Sequence, residues 1–483
     1  MEFHTAMQAI TATFRSDTCL HHSVYVSRRL EVVEAAREAM LQSMAWAEGE
    51  GFKTLVGPGH EPGFSGGALS DCVKLYGEAE PRLRRLVSGE RGYEFSHDDA
   101  VTWLSAAFAS HTTCLDGLEE KGMSFEARRA HNLTSVIRES LAVYAAKDNR
   151  RGRRKVVRKR PGSDNVVGGI LASWNAANSK ADFVVAQDGS GNYKTINEAV
   201  AALSQSVRNE RVVVYVKSGV YREKVEIGRG LNNIMFVGDG IDKTIVTGNA
   251  NVQDGATTLN SATFGVSGDG FWARDMTFEN TAGPAKHQAV ALRVSSDLSV
   301  FYRCSFKGYQ DTLLVHSLRQ FYRECQIHGT IDFIFGDASA VFQNCDIFVR
   351  RPMDHQANMI TAQGRDDVNE NTGISILNSR VLPSVILGRP WKKYSRAVFL
   401  KTDLDGLVDG RGWREWSGDF ALSTLYYAEY MNTGVGAFTG NRVKWPGFHV
   451  LSDLSEANRF GVRSFIGGDS WIPATGVPFS GDL

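Results

Sequence analysis

No surplus of charge of either sign runs through this 483-residue chain: 54 basic residues face 54 acidic ones, which excludes a general affinity for polyanions. One stretch departs from that balance. Arg150 to Arg160 holds eight basic residues and no acidic one. No aromatic residues are interleaved there for base stacking, so nucleic acid is not an expected partner. Long apolar runs are also missing. No segment reaches the roughly 18–20 apolar residues of a membrane span, and the start lacks the apolar core of a signal peptide. Taken literally, those absences predict a cytosolic chain without a membrane span. Cysteine is scarce, with six in all. Cys72 and Cys114 fall on helical patterns where one bridge fits, and Asn132-Leu133-Thr134 is a lone glycosylation sequon, both compatible with secretion. The 12 histidines are scattered without metal-ligand spacing, so neither a metal nor a cofactor is expected. Gly189 and Gly191 in AQDGSGNY make a turn, but no following helix with a Lys-Ser or Lys-Thr step completes a phosphate cradle.

What the chain does have is a repeat. Cys304 and Cys325 are 21 residues apart, Asp311 and Asp332 are also 21 apart, and each Asp follows its Cys by seven. The short apolar strands WARDMTF, FYRCSF, YRECQI, FQNCDI, LNSRV and FLKTDL align in the same register, giving one column: Met276, Cys304, Cys325, Cys345, Ser379, Thr402. A unit of roughly 20 residues with loop insertions is the mark of a solenoid. β-Branched and aromatic strands alternate with Gly, Asn and Asp turns and no amphipathic helix intervenes, which predicts a parallel β-helix rather than βαβ units. Adjacent coils would lie roughly 4.8 Å apart, bringing Asp311 and Asp332 together. Two such carboxylates should titrate as a coupled pair, one pKa raised and one lowered. Asp is also a common turn residue, and both could be only that.

The first 147 residues read differently. Helical segments are predicted at 27–48, 67–88, 97–118 and 125–146, with stripes such as Leu69, Cys72, Val73 and Tyr76 on one face. Four helices with short connections predict an antiparallel bundle at 1–147. Residues 49–67 form a Gly-rich loop. Residues 148–181 are polar and basic, and predict an exposed linker whose paired basic residues are open to a processing protease. The coil domain then runs from 182 to 483.

Around the paired Asps lie groups that make sense together. Gln310 precedes Asp311, and Gln288 lies 23 residues upstream, about one coil away. Their amides could donate to a developing oxyanion in acyl transfer. Arg389 in LGRPW could fix and ionise a carboxylate through its planar fork. Trp391, Phe335, Trp413 and Tyr309 are candidate aromatic walls for sugar rings. No Ser-His-Asp arrangement fits the coil register.

Together these residues carry a resemblance. The stretches DGSGNYKTINEAV, GVYREKV, NTAGPAKHQAVALRV, CSFKGYQDTL, GTIDFIFGDA, NMITAQGR, LGRPWKKYSR and WIPATGVPF make 182–483 resemble the catalytic domain of plant pectin methylesterases. LSDCVKLY, DAVTWLSAAFASHTTCLDGL and NLTSVIRESLAVYA make 27–147 similar to the inhibitor-like pro-region often fused to it. The resemblance implies a right-handed parallel β-helix acting on methyl-esterified homogalacturonan in the cell wall, with no metal. It implies Asp332 as nucleophile, Asp311 as general acid and then base, Gln288 and Gln310 as the oxyanion pair, Arg389 as the residue that orients Asp332, and Phe335 and Trp391 as the substrate wall. An inhibitor protein and a processing protease are implied partners. Polygalacturonases also use Asp pairs, but their Asn-Thr-Asp and Gly-His-Gly signatures are absent.

Four departures bear on the expectations. Leu314 stands where the family has Tyr after GYQDTL. Ser379 and Thr277 stand where family cysteines would pair with Cys345 and Cys304, so the coil domain is expected either to lack disulfides or to bridge Cys325 to a stacked neighbour. The segment between Ser379 and Leu387 is shorter by about ten residues than the family pattern, which could displace Arg389 and leave a catalytically impaired, pectin-binding or inhibitory protein. Cys19 alone remains of an early cysteine hairpin, and with no signal peptide in view this predicts a truncated start to a secreted protein.

Overall fold

The structure, a computed structural model, describes residues 27–50, 66–88, 95–123, 131–146, 169–205, 210–382, 385–404 and 408–483. Among the described residues from Phe183 onward, three parallel sheets run side by side, of 11, 8 and 7 strands. Seven successive turns of chain, from the strand Val212–Val216 to the strand Ile386–Gly388, each give one strand to each sheet, and the two ends add strands to the 11- and 8-stranded sheets alone. Ser299–Tyr302, Ser305–Lys307 and Leu313–Val315 form one coil, and Arg319–Arg323, Gln326–Gly329 and Ile334–Gly336 form the next. The registers Ser299↔Gln320, Ser305↔Gln326 and Leu313↔Ile334 all have the same 21-residue offset. This is the parallel β-helix that the column of residues predicts, and the column itself survives intact. Ser305 pairs with Thr277 and Gln326, Gln326 with Asp346, Asp346 with Arg380, and Arg380 with Asp403. Met276, Cys304, Cys325, Cys345, Ser379 and Thr402 each stand one residue earlier, stacked along one corner.

A second column lies one residue earlier still. Asp275, Arg303, Glu324, Asn344, Asn378 and Lys401 all have positive φ, between 47° and 56°. A left-handed residue at that point bends the chain sharply from one sheet into the next, at a cost of roughly 1 kcal/mol each for a side chain other than Gly. Stacking offsets the cost. Apolar rings line the interior in ladders, with Phe301, Tyr322 and Phe342 stacked at 5.1 and 4.4 Å between centroids. The three cysteines of the column are buried and free, so no bridge joins Cys325 to its neighbours. Their thiols face backbone carbonyls instead, Cys325 that of Phe301 at 3.4 Å and Cys345 that of Tyr322 at 3.6 Å, and burial pushes the Cys304 and Cys325 thiols up.

The N-terminal part is helical: α1 (27–50), α2 (Gly66–Ser88), α3 (His97–Glu120) and α4 (His131–Ala145). Ser96 and Asp99 form a reciprocal capping box at the start of α3. A disulfide joins Cys72 on α2 to Cys114 on α3 across a Cα separation of 4.7 Å. Asn132 is exposed on the first turn of α4, where the hydroxyl of Thr134 meets Nε2 of His111 at 2.8 Å. Residues 125–130, predicted as part of the last helix, and Cys19 lie outside the described residues.

One boundary needs correction. The predicted exposed linker 148–181 is not exposed throughout. Leu171 is fully buried and Trp174 nearly so, and Arg274 donates to the carbonyls of Leu171 and Ala172 at 2.7 and 2.9 Å. The short helix Ile170–Ser173 thus belongs to the coil, because Leu171 and Trp174 supply apolar cover for an outer sheet face that a polar count over the whole segment conceals. Residues 148–168, with the basic run, lie outside the described residues.

The bundle packs on the coil domain. Bundle residues share an apolar cluster with Leu259, Val290, Leu314, Phe335 and Ala362. Leu314, in the place where Tyr was expected, is 3% exposed there. Ion pairs surround that cluster: Arg82 with Asp269 (2.6 Å), Arg319 with Asp99 (2.8 Å), Lys74 with Glu226 (2.9 Å) and Arg138 with Asp366 (3.0 Å).

Candidate active site

Where the coil turns from the 8-stranded sheet into the 7-stranded one, short loops replace regular backbone, and successive loops stack like the strands they join. Ala289 N–H donates to the Gln310 carbonyl (3.3 Å), Asp311 N–H to that of Ile331 (3.0 Å), and Thr330 N–H to that of Tyr309 (2.9 Å). These rungs put Gln288, Gln310, Asp311 and Asp332 on three neighbouring coils facing one cavity. Both Asps have positive φ, 63° for Asp311 and 49° for Asp332. They are turn residues, as the plainer reading held, and they also face the cavity. Left-handed non-Gly residues at the floor of a cleft are held there by the surrounding ladder.

The cavity holds about 290 Å3 and is lined by Gln288, Gln310, Asp311, Leu314, Asp332, Phe335, Arg389, Trp391 and Trp416 from the coil, and by Asp71, Thr113, Asp116 and Glu120 from the bundle. Asp332 is clamped. Arg389 Nε donates to both carboxylate oxygens at 3.0 and 3.1 Å, and Nη2 to Oδ2 at 2.6 Å. The strand Ile386–Gly388 delivers Arg389, and its own N–H donates to the Thr361 carbonyl at 3.0 Å. The shortened segment after Ser379 therefore leaves Arg389 in place. Asp311 accepts no side-chain hydrogen bond from the described residues, and neither do the amides of Gln288 and Gln310 have a side-chain partner there.

Charge separates the two carboxyls, though not as expected. Burial and the adjacent Asp332 charge push Asp311 well above the usual carboxylate range, with Arg389 opposing. Burial also raises Asp332, but the hydrogen bonds and charge of Arg389 oppose it. Both are raised rather than one raised and one lowered, because both are buried. The asymmetry survives: Asp311 holds its proton more strongly, while Asp332 carries the counter-ion.

Two of the four predicted aromatic walls hold their positions. Phe335 and Trp391 both line the cavity, with ring centroids 6.0 Å apart. Trp413 does not. It is fully buried inside the coil, stacked on Tyr427 at 4.2 Å, and its indole N–H donates to Glu429 at 3.2 Å. Its bridge to Gly388 places it against the strand that carries Arg389, on the inner side. Trp416, three residues on, takes the wall position with the Arg389 guanidinium 4.3 Å over its ring. Tyr309 is also outside the cavity lining, half-buried with the Arg350 guanidinium 4.7 Å over its ring. The carboxylates contributed by the bundle are not legible in the sequence, because only the fold brings α2, with Asp71, and α3, with Asp116 and Glu120, to this corner. Among the described residues there is no group of His, Cys, Asp or Glu suited to a metal.

The family model "Pectinesterase" matches residues 182–469, and "Plant invertase/pectin methylesterase inhibitor" matches 27–143. The chain is 56% identical to "Probable pectinesterase/pectinesterase inhibitor 36" of Arabidopsis thaliana, over 93% of this chain and 94% of the relative. It is 50% identical to "Pectinesterase 2" of Citrus sinensis, over 86% and 82%. Among solved structures, pectin methylesterase from carrot matches at 53% identity with a TM-score of 0.62, covering 64% of this chain and 100% of its own. That of Aspergillus niger matches at 30% identity with a TM-score of 0.52, covering 61% and 96%. The carrot chain is matched along its whole length by under two thirds of this chain, so that protein folds at that length.

Proposed function

Since this chain belongs to the pectinesterase family, carboxylic ester hydrolases that remove methyl groups from pectin, we propose that its cavity at Asp311 and Asp332 carries out that hydrolysis. The observation that carries the reading is the three-contact clamp of Arg389 on Asp332 beside a second carboxyl that has no such partner. A clamped, ionised carboxylate is a nucleophile aimed along one direction. A buried carboxyl pushed well above its ordinary range is a proton donor near neutral pH.

The steps follow from those assignments. One Asp332 oxygen attacks the C6 carbonyl of a methyl-esterified galacturonate. The amides of Gln288 and Gln310 donate to the resulting oxyanion, and Asp311 gives its proton to the departing methanol oxygen. Asp311, now ionised, takes a proton from water as that water attacks the acyl-enzyme carbonyl; the bond from the acyl carbon to Asp332 breaks, returning Asp332 as a carboxylate, and the galacturonic acid released loses its proton to solvent. Phe335, Trp391 and Trp416 supply the apolar walls against which sugar rings pack.

In the intact chain the bundle stands over this cavity, so the same reading makes it a cover that must leave before polymer can enter. The basic run at 150–160 is the proposed processing point. Release there fits a product working in the cell wall, with a processing protease, and with separate inhibitor proteins of the bundle type as partners.

The test is methanol release from highly esterified pectin by residues 169–483, a fragment that keeps Leu171 and Trp174 packed on the coil. Steady release without added metal or cofactor is expected. No release from a folded fragment would leave a pectin-binding or inhibitory protein instead.

A further inference from the structure

A second hollow, of about 450 Å3, lies on the outer face of the 8-stranded sheet, and the residues lining it all belong to the coil. It spans three coils. Arg222, at the end of the strand Gly219–Arg222, stands in register with Thr247, and Thr247 with Glu279, so these three form one outward row while Tyr221 turns inward and is buried. The turn between Gly248 and Thr263 walls this hollow on one side and the catalytic cavity on the other. The bundle treats the two differently. It closes the catalytic cavity through Asp71 on the Thr257 hydroxyl, Glu120 on the N–H and hydroxyl of Thr258 at 3.3 and 3.2 Å, and Asp116 on the Lys392 ammonium at 2.5 Å. No described bundle residue lines the outer hollow.

The charges of this hollow are unevenly matched. Glu223 is taken up by the N–H groups of Ile196 and Asn197, both at 2.9 Å, and Lys224 by the carbonyl and side-chain oxygens of Asn260, both at 2.5 Å. Glu279 accepts from the Thr247 hydroxyl at 3.0 Å and has no cation paired with it among the described residues. Arg222 is exposed and has no ion-pair or hydrogen-bond partner among them. Thr263 closes the back, its buried hydroxyl also without a partner there.

We infer that this hollow binds an unesterified hexuronate unit of a galacturonan, its carboxylate paired with Arg222 and its ring hydroxyls donating to Glu279. The choice of galacturonan rests on the reading of Asp311 and Asp332 as a pectin-cleaving pair. A planar guanidinium matches the two oxygens of a carboxylate, and Val220, Ala250 and Ala262 supply the apolar surface that a sugar face needs. Glu279 selects against a sulfate or phosphate dianion, which repels a carboxylate and brings it no donor, whereas a sugar brings hydroxyls. The hollow contains no second carboxyl clamped by an arginine, so it holds the polymer without cleaving it. Because the bundle leaves it open, the intact chain can be anchored on acidic polymer before its catalytic cavity is uncovered.

The test uses the intact chain and an unesterified galacturonate hexamer, and reads hydrogen exchange in 219–224 and 244–250, segments remote in sequence from the basic run. The hexamer should slow exchange there to a plateau. Arg222→Gln, a change at an exposed side chain, should raise the half-saturating concentration about tenfold, as expected for one hydrogen bond between charged groups, and Arg222→Lys should recover part of the loss. The fully methyl-esterified hexamer, which has no carboxylate, should protect at least about tenfold more weakly, and sulfate at equal charge should not displace the unesterified one. No protection, equal half-saturation in Arg222→Gln, equal protection by the esterified hexamer, or full displacement by sulfate would each overturn the assignment. Failure of the catalytic reading shows itself separately, as no methanol release by fragment 169–483, and leaves this binding measurement standing.

Discussion

Replacing Arg389 by Ala removes three contacts to Asp332, the shortest at 2.6 Å, and leaves a buried carboxylate without its counter-ion. Hydrogen bonds between charged groups contribute about 1.5–3 kcal/mol each, and breaking a buried pair by removing one partner costs about 3–5 kcal/mol. Arg389 has 23% of its side chain exposed toward the cavity, so water compensates in part and the low end, about 3 kcal/mol, is the appropriate figure. Expressed in the barrier, that is about a hundredfold in kcat/KM. The pH profile provides the sharper readout. Arg389 opposes the burial that raises Asp332, so its loss moves the Asp332 pKa further up. Asp332 must be ionised to attack, and the acid limb of kcat/KM therefore shifts to higher pH. Arg389→Lys restores charge without the planar fork and should recover part of the rate and most of the shift. The assay is methanol release by fragment 169–483 across pH, with thermal unfolding as a control. A folded Arg389→Ala variant within about threefold of the unmodified rate, with an unmoved acid limb, would refute the reasoning.

Three further outcomes are expected. Arg82→Ala breaks a nearly fully buried guanidinium's two bonds to Asp269 at 2.6 and 2.9 Å; once the chain is cut within 148–168, the bundle should dissociate about 30-fold more readily, since about 2 kcal/mol is lost when one partner of the pair keeps access to water. Burial raises Asp71, Asp116 and Glu120 at the covered cavity. Those groups therefore hold the bundle most firmly below the ordinary carboxylate range and progressively less as pH climbs through their raised values. His316, pushed down to about 3, acts in the opposite sense only below its ordinary value. Binding of the cut bundle measured against pH should weaken on that rise, and less so in Asp116→Asn. Trp413→Ala should cost about 3–5 kcal/mol of stability, as for a core aromatic, and Trp416→Ala little; chemical denaturation of the two variants separates the assignments.

The fold was legible because a solenoid repeats its own arithmetic. Equal offsets of 21 between Cys304 and Cys325 and between Asp311 and Asp332 recur in the strand registers of all three sheets, and the column through Met276 and Thr402 needed no alteration. The clamp of Arg389 on Asp332 was legible from residue chemistry and the family resemblance together. Trp413 was misplaced for a reason internal to strands: inward and outward positions alternate, and a Trp next to a turn cannot be assigned to either side without the register that bridges it to Gly388. Trp416 went unnoticed because no strand period covers it. The closed state of the cavity could not be read at all. Asp116 and Lys392 are 276 positions apart, and no periodicity within the bundle or the coil relates one to the other.

The central claim is that Asp332 is the nucleophile and Asp311 its acid and base, and Asp332→Asn in fragment 169–483 tests it most directly. The substitution keeps the shape of the side chain and removes only the charge that Arg389 clamps. If the account holds, methanol release from highly esterified pectin falls by at least about four orders of magnitude, a loss of the size seen when a nucleophile is removed, while thermal unfolding shows a folded coil. Asp311→Asn should be impaired nearly as severely. A folded Asp332→Asn fragment that still releases methanol at a rate close to the unmodified one would contradict the account.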